Sequence, residues 1–108
     1  MYVSKYARSL SIKRNKPLSE IVEESKLRKG CIFEASFGDQ DGWKNFGLEL
    51  HVAYDGTKKG VALYTRMPDI RGLMNDTNAS DVDSLKGKLI CVHTYRGKTI
   101  GLSARSEE

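Results

Sequence analysis

Hydrophobic residues recur along this chain in two periods, and the change of period marks out its elements. From Phe46 to Tyr54 the alternation is strict. Phe46, Leu48, Leu50, Val52 and Tyr54 fall on one side and Gly47, Glu49, His51 and Ala53 on the other, which predicts a strand with one buried and one wet face. Cys31 to Phe37 has the same period, with Phe33, Ala35 and Phe37 opposite Ile32, Glu34 and Ser36. Val61 to Met67 returns as a third strand after the polar loop Asp55–Gly60, with Val61, Leu63 and Met67 on the core side and Ala62, Tyr64 and Arg66 on the other. Lys88 to Tyr95 is apolar at its centre, as an interior strand is. Thr99 to Arg105 alternates again after the turn Tyr95-Arg96-Gly97-Lys98, with Ile100, Leu102 and Ala104 inward.

Two stretches carry the helical period. Leu18, Ile21 and Val22 predict a short helix to Leu27, with Ser19 as N-cap and Gly30 as stop. Asp69 to Asn75 spaces Ile70, Leu73 and Met74 at helical intervals, and Gly72 weakens that helix by up to about 1 kcal/mol relative to Ala. Residues 1–16 read either as a basic arm or, from the alternation of Leu10 and Ile12 with Ser9, Ser11 and Lys13, as an edge strand. Residues 17–105 form a single globular domain and 106–108 a frayed tail. From residue 31 the order is therefore strand, strand, strand, helix, strand, strand. That order predicts a mainly β (α+β) protein. It is either a small OB-like Greek-key barrel or a highly twisted five-stranded antiparallel sheet with one or two short helices.

The chain has 108 residues, enough for one domain with a modest core. No apolar run approaches the roughly 18 residues of a membrane span, and the N-terminus lacks the apolar core of a secretory signal, so the expected location is cytoplasmic, with no membrane partner. The net charge of +4 is uneven: residues 1–30 hold eight basic against three acidic side chains, and the remainder is close to neutral. Basic segments on a neutral body suit a polyanion, because each phosphate neutralised releases counterions; a solvated leader gives the same composition.

Catalysis finds no support. The chain has no Gly-x-Ser-x-Gly, no His-Glu-x-x-His, and at Leu85-Lys86-Gly87-Lys88 only a fragment of a phosphate loop, so it is read as a non-enzyme without cofactor. Cys31, His51, Cys91 and His93 are the inventory of a zinc site but not its spacing, and no metal is expected. Asp76, Asp81 and Asp83 read as turn chemistry. Single-strand binders need aromatic faces and a track of cations. Trp43 and Lys44 in a loop, His51, the tip lysines Lys58 and Lys59, Tyr64, Arg66, Arg96 and Lys98 make one candidate surface, to which Lys13, Arg14 and Lys16 add the arm. Each aromatic has a structural alternative, Trp43 capping the barrel end and Tyr64 packing under the first helix. Glu34 and Glu49 on the same face oppose phosphate.

Phe37-Gly38, Gly42-Trp43 followed by Gly47-Leu48, and the run Val82-Asp83-Ser84-Leu85-Lys86-Gly87-Lys88 resemble a loose group of short bacteriophage and prophage proteins. Some phage single-stranded DNA-binding proteins share the lead-in Val82–Lys88 and an element like Asp55–Gly60. The resemblance covers about two thirds of the chain, from Cys31 onward, and implies an OB-like single-strand binder acting through its second and third strands; the basic arm, outside the resemblance, is added to that surface by its charge. The rival expectation is a non-enzymatic phage inhibitor or accessory protein of anti-CRISPR or anti-restriction type, which binds a host protein, with a homodimer through edge strands as one form. A small-ligand barrel is a third.

Overall fold

The computed structural model describes residues 1–39 and 46–105. The described elements are β1 (Tyr2–Val3), α1 (Lys5–Arg14), α2 (Leu18–Glu24), β2 (Lys26–Asp39), β3 (Phe46–Tyr54), β4 (Lys58–Tyr64), α3 (Met67–Asp76), β5 (Leu89–Tyr95) and β6 (Lys98–Ala104), with a 3₁₀ turn at Asp83–Leu85. The fold is α+β: six strands form one antiparallel sheet in the order β1-β6-β5-β2-β3-β4, and the sheet curls into a half-barrel with three helices. Five strands and one or two helices are corrected to six and three. None of the described helices is long and apolar enough to cross a membrane.

The N-terminal segment accounts for both additions. The edge strand is Tyr2–Val3, paired to Leu102 and Gly101 of β6, and Leu10–Lys13, read as arm or strand, is helix. Ser4 caps α1, its Oγ accepting from the Tyr6 N–H at 3.2 Å, and Ala7 and Leu10 are buried. The same Ser4 Oγ accepts from Leu63 N–H at 3.1 Å and faces Leu63 O at 3.4 Å, so one side chain ties β1 to β4 where no ladder joins them. β4 and β6 come together at Gly60 and Thr99, where a Cβ on Gly60 would collide with the Thr99 hydroxyl. Helix α1 lies over this seam.

β2 is long enough to serve two partners, pairing Lys26–Cys31 with β5 and Gly30–Asp39 with β3. Gly30 is thus mid-strand rather than a helix stop, and α2 ends at Glu24 with Pro17, not Ser19, at its N-cap. A bulge between Ile32 and Glu34 resets the alternation of β2. Ile32 and Ala35 are both buried, so the bulge parts Ala35 from Phe33, expected on the same face; Phe33 and Phe37 are 43% and 44% exposed. Leu48, Leu50 and Val52 of β3 are fully buried, as the alternation requires. On β4 the core face is Ala62 and Tyr64; Leu63, expected inward, is covered from the other side and held by Ser4.

α3 begins two residues earlier than Asp69, with Pro68 in its first turn, and lays Ile70 and Leu73 on the inner face of the half-barrel. Gly72 lets the Tyr2 ring close on the helix, where a Cβ would come within 2.7 Å of that ring. The lead-in Val82–Lys88 proves structural. Asp81 accepts from Ser84 N–H and Oγ–H, both at 2.8 Å, which closes the 3₁₀ turn and puts Leu85 in the core. Gly87 N–H then donates to Ile32 O at 2.6 Å and launches β5 against β2. A second cluster of Ala7, Leu10, Ile21, Tyr95 and Ile100 joins α1 and α2 to the end of the β5–β6 hairpin. A bulge between His93 and Thr94 breaks the register there, and Ile100, expected beside Leu102, belongs to this cluster instead.

Candidate nucleic-acid interface

The inward faces of β2, β3 and β4 change character along their length. Register places Gly30 opposite Tyr54, Val52 opposite Gly60, and Tyr54 opposite Lys58. Following the face that buries Ile32, Val52 and Ala62 toward one end of the half-barrel leads to Arg28 and Lys26 on β2 and Lys58 on β4. There apolar filling stops and a mouth opens, a cleft of about 670 Å³. Its walls carry Lys26, Arg28, Lys58, Lys59 and Arg96 around Tyr54, Thr94 and Tyr95, with Glu24 as the one carboxylate on the lining.

The local sequence explains how the cations are held. The β5–β6 turn has φ of 50° at Arg96 and 79° at Gly97. Positive φ at both central residues matches the sheet's twist, and Asn-Gly or Asp-Gly normally supplies it. The opposite hairpin has such a pair, Asp55 and Gly56, at 50° and 81°. Arg96 occupies a conformation that costs an ordinary side chain roughly 1–2 kcal/mol.

Tyr95, only 4% exposed, is the post around which the rim cations gather. Arg14, Lys16 and Arg96 stand 5.9, 5.7 and 5.7 Å from its ring centroid, within cation–π range. Lys16 also donates to Glu24 at 2.8 Å and to the Tyr95 hydroxyl at 3.3 Å. The bond to Glu24 holds the Lys16 ammonium above its usual range, and the same bond holds the Glu24 carboxyl below its own. Glu24 is thereby neutralised within the rim. Asp55 lies 3.5 Å from Arg28 Nε and 3.9 Å from Lys58 Nζ. Among the described residues no carboxylate comes within 4 Å of the cations of Lys26, Lys59 or Arg96.

Of the residues singled out from sequence, Lys58, Lys59 and Arg96 line the mouth, Arg14 and Lys16 ring its Tyr95 post, and Lys13 and Lys98 border an adjoining pocket that shares Lys59 and Gly97 with it. Three others are elsewhere. Tyr64 is 1% exposed: its hydroxyl donates to Tyr2 O and accepts from Leu102 N–H, and burial drives its pKa far up, so it is a core residue and not a stacking platform. Arg66 caps α3 beyond the far end of β4, about 20 Å of strand from Lys58. His51 is on the outer face beside Phe33, with ring centroids 6.0 Å apart and Glu49 at 3.9 Å. Trp43 and Lys44 lie outside the described residues, as does the tail 106–108.

Lys26 and Arg28 were masked in the sequence by the helix reading of that stretch, although their alternation ahead of Gly30 was the signal. Phe33 was masked by the bulge that exposes it; Lys59 Nζ stands 5.4 Å from its ring centroid. Glu34 pairs with Lys86 at 3.1 Å, which lowers its pKa, and it sits toward the opposite end of the sheet from the mouth. His93 Nε2 is 2.8 Å from Ser103 Oγ, and burial lowers its pKa. Among the described residues no three His, Cys, Asp or Glu side chains gather as a metal-ligand group, and Cys31 and Cys91 are free thiols.

Compared with known proteins, the chain matches no family model, and neither a curated protein nor a solved structure is similar to it.

Proposed function

We propose that the protein is a non-enzymatic binder of single-stranded nucleic acid, whose phosphates lie in the basic mouth of the half-barrel. The observation that carries this reading is the switch from apolar to cationic side chains along one inward face of the sheet. Inward cations at a barrel end do nothing for packing and are costly to crowd, so their convergence calls for an anion. A cleft of about 670 Å³ at the end of a curled sheet has room for a few groups of a flexible single strand but not for a stiff duplex. A backbone tracked by cations beside aromatic rings is the usual arrangement for such ligands, and here Tyr54 and Tyr95 stand among the cations of the mouth while the half-exposed Tyr6 lines the adjoining pocket.

The connectivity supports the reading. Strands β2 to β5 run in the spatial order β5-β2-β3-β4, which is a Greek key, and α3 falls between the third and fourth of them. This is the plan of an OB-like half-barrel, a fold that often takes oligonucleotides at its loops, here the β5–β6 turn with Arg96.

The test is fluorescence anisotropy of a labelled oligo-dT. The wild type should bind at 50 mM salt and weaken with added salt, with a duplex of equal length bound less well. The variant Lys58→Glu/Lys59→Glu/Arg96→Glu should lose about 100-fold in affinity and keep its fold. Unchanged binding in that variant removes the mouth from the account.

A second reading, an accessory protein that occludes a host protein, is favoured by a different observation. Leu27 and Leu89 are 60% and 59% exposed and share the outer face of β2 and β5 with Phe33. Leu27→Glu/Leu89→Glu leaves oligo-dT affinity intact if the mouth is the site.

A further inference from the structure

The seam under α1 opens into a second pocket of about 420 Å³, within the roughly 300–1,000 Å³ span of small-molecule sites. Its walls are made from three elements that no ladder joins: α1, the start of β4, and the β5–β6 turn running into β6. The floor is apolar, with Leu10 and Val61 against Gly60. The Tyr6 ring, 45% exposed, stands on one wall. Lys13, Lys59 and Lys98 line the pocket from three different elements and put three cationic side chains around one small apolar opening.

Two further observations single this pocket out. Thr99 lines it and is 8% exposed; its hydroxyl is buried against Gly60 with no hydrogen-bond partner among the described residues, a cost that opening this seam to a ligand or water would relieve. The pocket also adjoins the mouth, since Lys59 and Gly97 belong to both linings. An apolar slot with one aromatic wall, one polar group in its wall and cations at its lip matches a flat heteroaromatic ring attached to a phosphate.

We infer that this pocket accepts one unstacked nucleobase of the strand whose phosphates occupy the mouth, with Tyr6 stacking on the base and Lys13, Lys59 and Lys98 holding its flanking phosphates. The inference rests on the nucleic-acid reading above and adds to it a base-binding site built by α1. It makes the N-terminal helix part of the binding surface through a ring and a slot, and not only through charge.

The experiment compares oligo-dT with an oligomer of equal length in which every base is replaced by an abasic spacer, so that the phosphates are unchanged. Both are titrated by anisotropy at 50 mM salt against the wild type, Tyr6→Ala, Tyr6→Leu and Tyr6→Phe. The wild type should bind oligo-dT about tenfold more tightly than the abasic oligomer, the size of one good stacking contact. Tyr6→Ala and Tyr6→Leu should lose that preference while holding the abasic oligomer as well as the wild type does. Tyr6→Phe keeps the ring and should keep the preference. Tyr6→Leu, which retains the bulk, serves if truncation to Ala loosens α1. Equal wild-type affinity for the two oligomers overturns the base site and leaves the mouth standing as a phosphate cleft. A preference that survives in both Tyr6→Ala and Tyr6→Leu also overturns it, because the bases then stack elsewhere. Binding of neither oligomer overturns this inference together with the nucleic-acid reading.

Discussion

The two hairpins that flank the mouth solve the same backbone problem with different residues. Each needs positive φ at two successive positions, and each ends in Gly. At the β3–β4 tip the first position is Asp55, a residue that tolerates the left-handed region and pairs with Arg28 and Lys58. At the β5–β6 tip it is Arg96, which tolerates it poorly and adds a cation to a crowded rim. One tip is chosen for folding and tempers the positive field. The other accepts strain and strengthens that field. Strain of this kind persists where the surroundings fix it, and here the Tyr95 ring and the second core cluster do so. Position 96 is therefore where the demands of ligand and fold part company.

The contrast repeats within β4, whose Lys58 end belongs to the mouth and whose Tyr64 end belongs to the core. Tyr64→Phe removes the hydroxyl that serves Tyr2 O and Leu102 N–H and strands a buried donor, a loss of about 1–3 kcal/mol. The melting temperature should fall by about 4–8 °C per kcal/mol, and oligo-dT affinity should not change. A loss of affinity without a loss of stability would return Tyr64 to the binding surface.

Arg96→Asn should move the two properties in opposite directions. Asn relieves the left-handed strain and raises stability by about 1 kcal/mol, while the lost cation weakens oligo-dT binding about fivefold. Thermal melts and anisotropy on one preparation check both. Asp55→Asn is its counterpart. Asn suits the same backbone, so stability should stay within about 0.5 kcal/mol, and removal of a carboxylate beside Arg28 and Lys58 should raise affinity about twofold.

The β5–β6 hairpin also carries His93, whose pKa burial lowers from its ordinary 6.5. The unfolded chain then binds the proton more readily than the folded one. Stability should be level above pH 7 and decline as the pH falls through 6.5 toward the lower folded value. His93→Gln should flatten that part of the profile in melts taken between pH 7.5 and 5.

Much of this was legible in the sequence, wherever one period ran undisturbed. The β3 alternation placed Leu48, Leu50 and Val52 correctly, and the spacing of Ile70 and Leu73 placed α3. The reading failed where a bulge shifted the phase, at Phe33 and near Ile100, because a single extra residue turns every later side chain over. It failed on β4, where α1 covers the second face and makes Leu63 and Tyr64 alike buried. It failed most at the N-terminus. Helix α1 buries only Ala7 and Leu10, too narrow a stripe to stand out among lysines and arginines, and its role at the seam depends on strands more than 50 residues away, such as Leu63 against Ser4. Of the site, the cations at both hairpin tips were legible. Lys26 and Arg28 were not, because their inward direction follows from a strand that the pattern assigned to a helix.

The most direct measurement is the slope of log affinity for oligo-dT against log salt concentration, in the wild type and in Arg96→Asn. The account predicts a wild-type slope steeper than about −2, as several phosphates are neutralised at roughly 0.7 each, and a slope shallower by about 0.7 in Arg96→Asn. Affinity that ignores salt, or the same slope in both proteins, would contradict a phosphate track that runs through the mouth past Arg96.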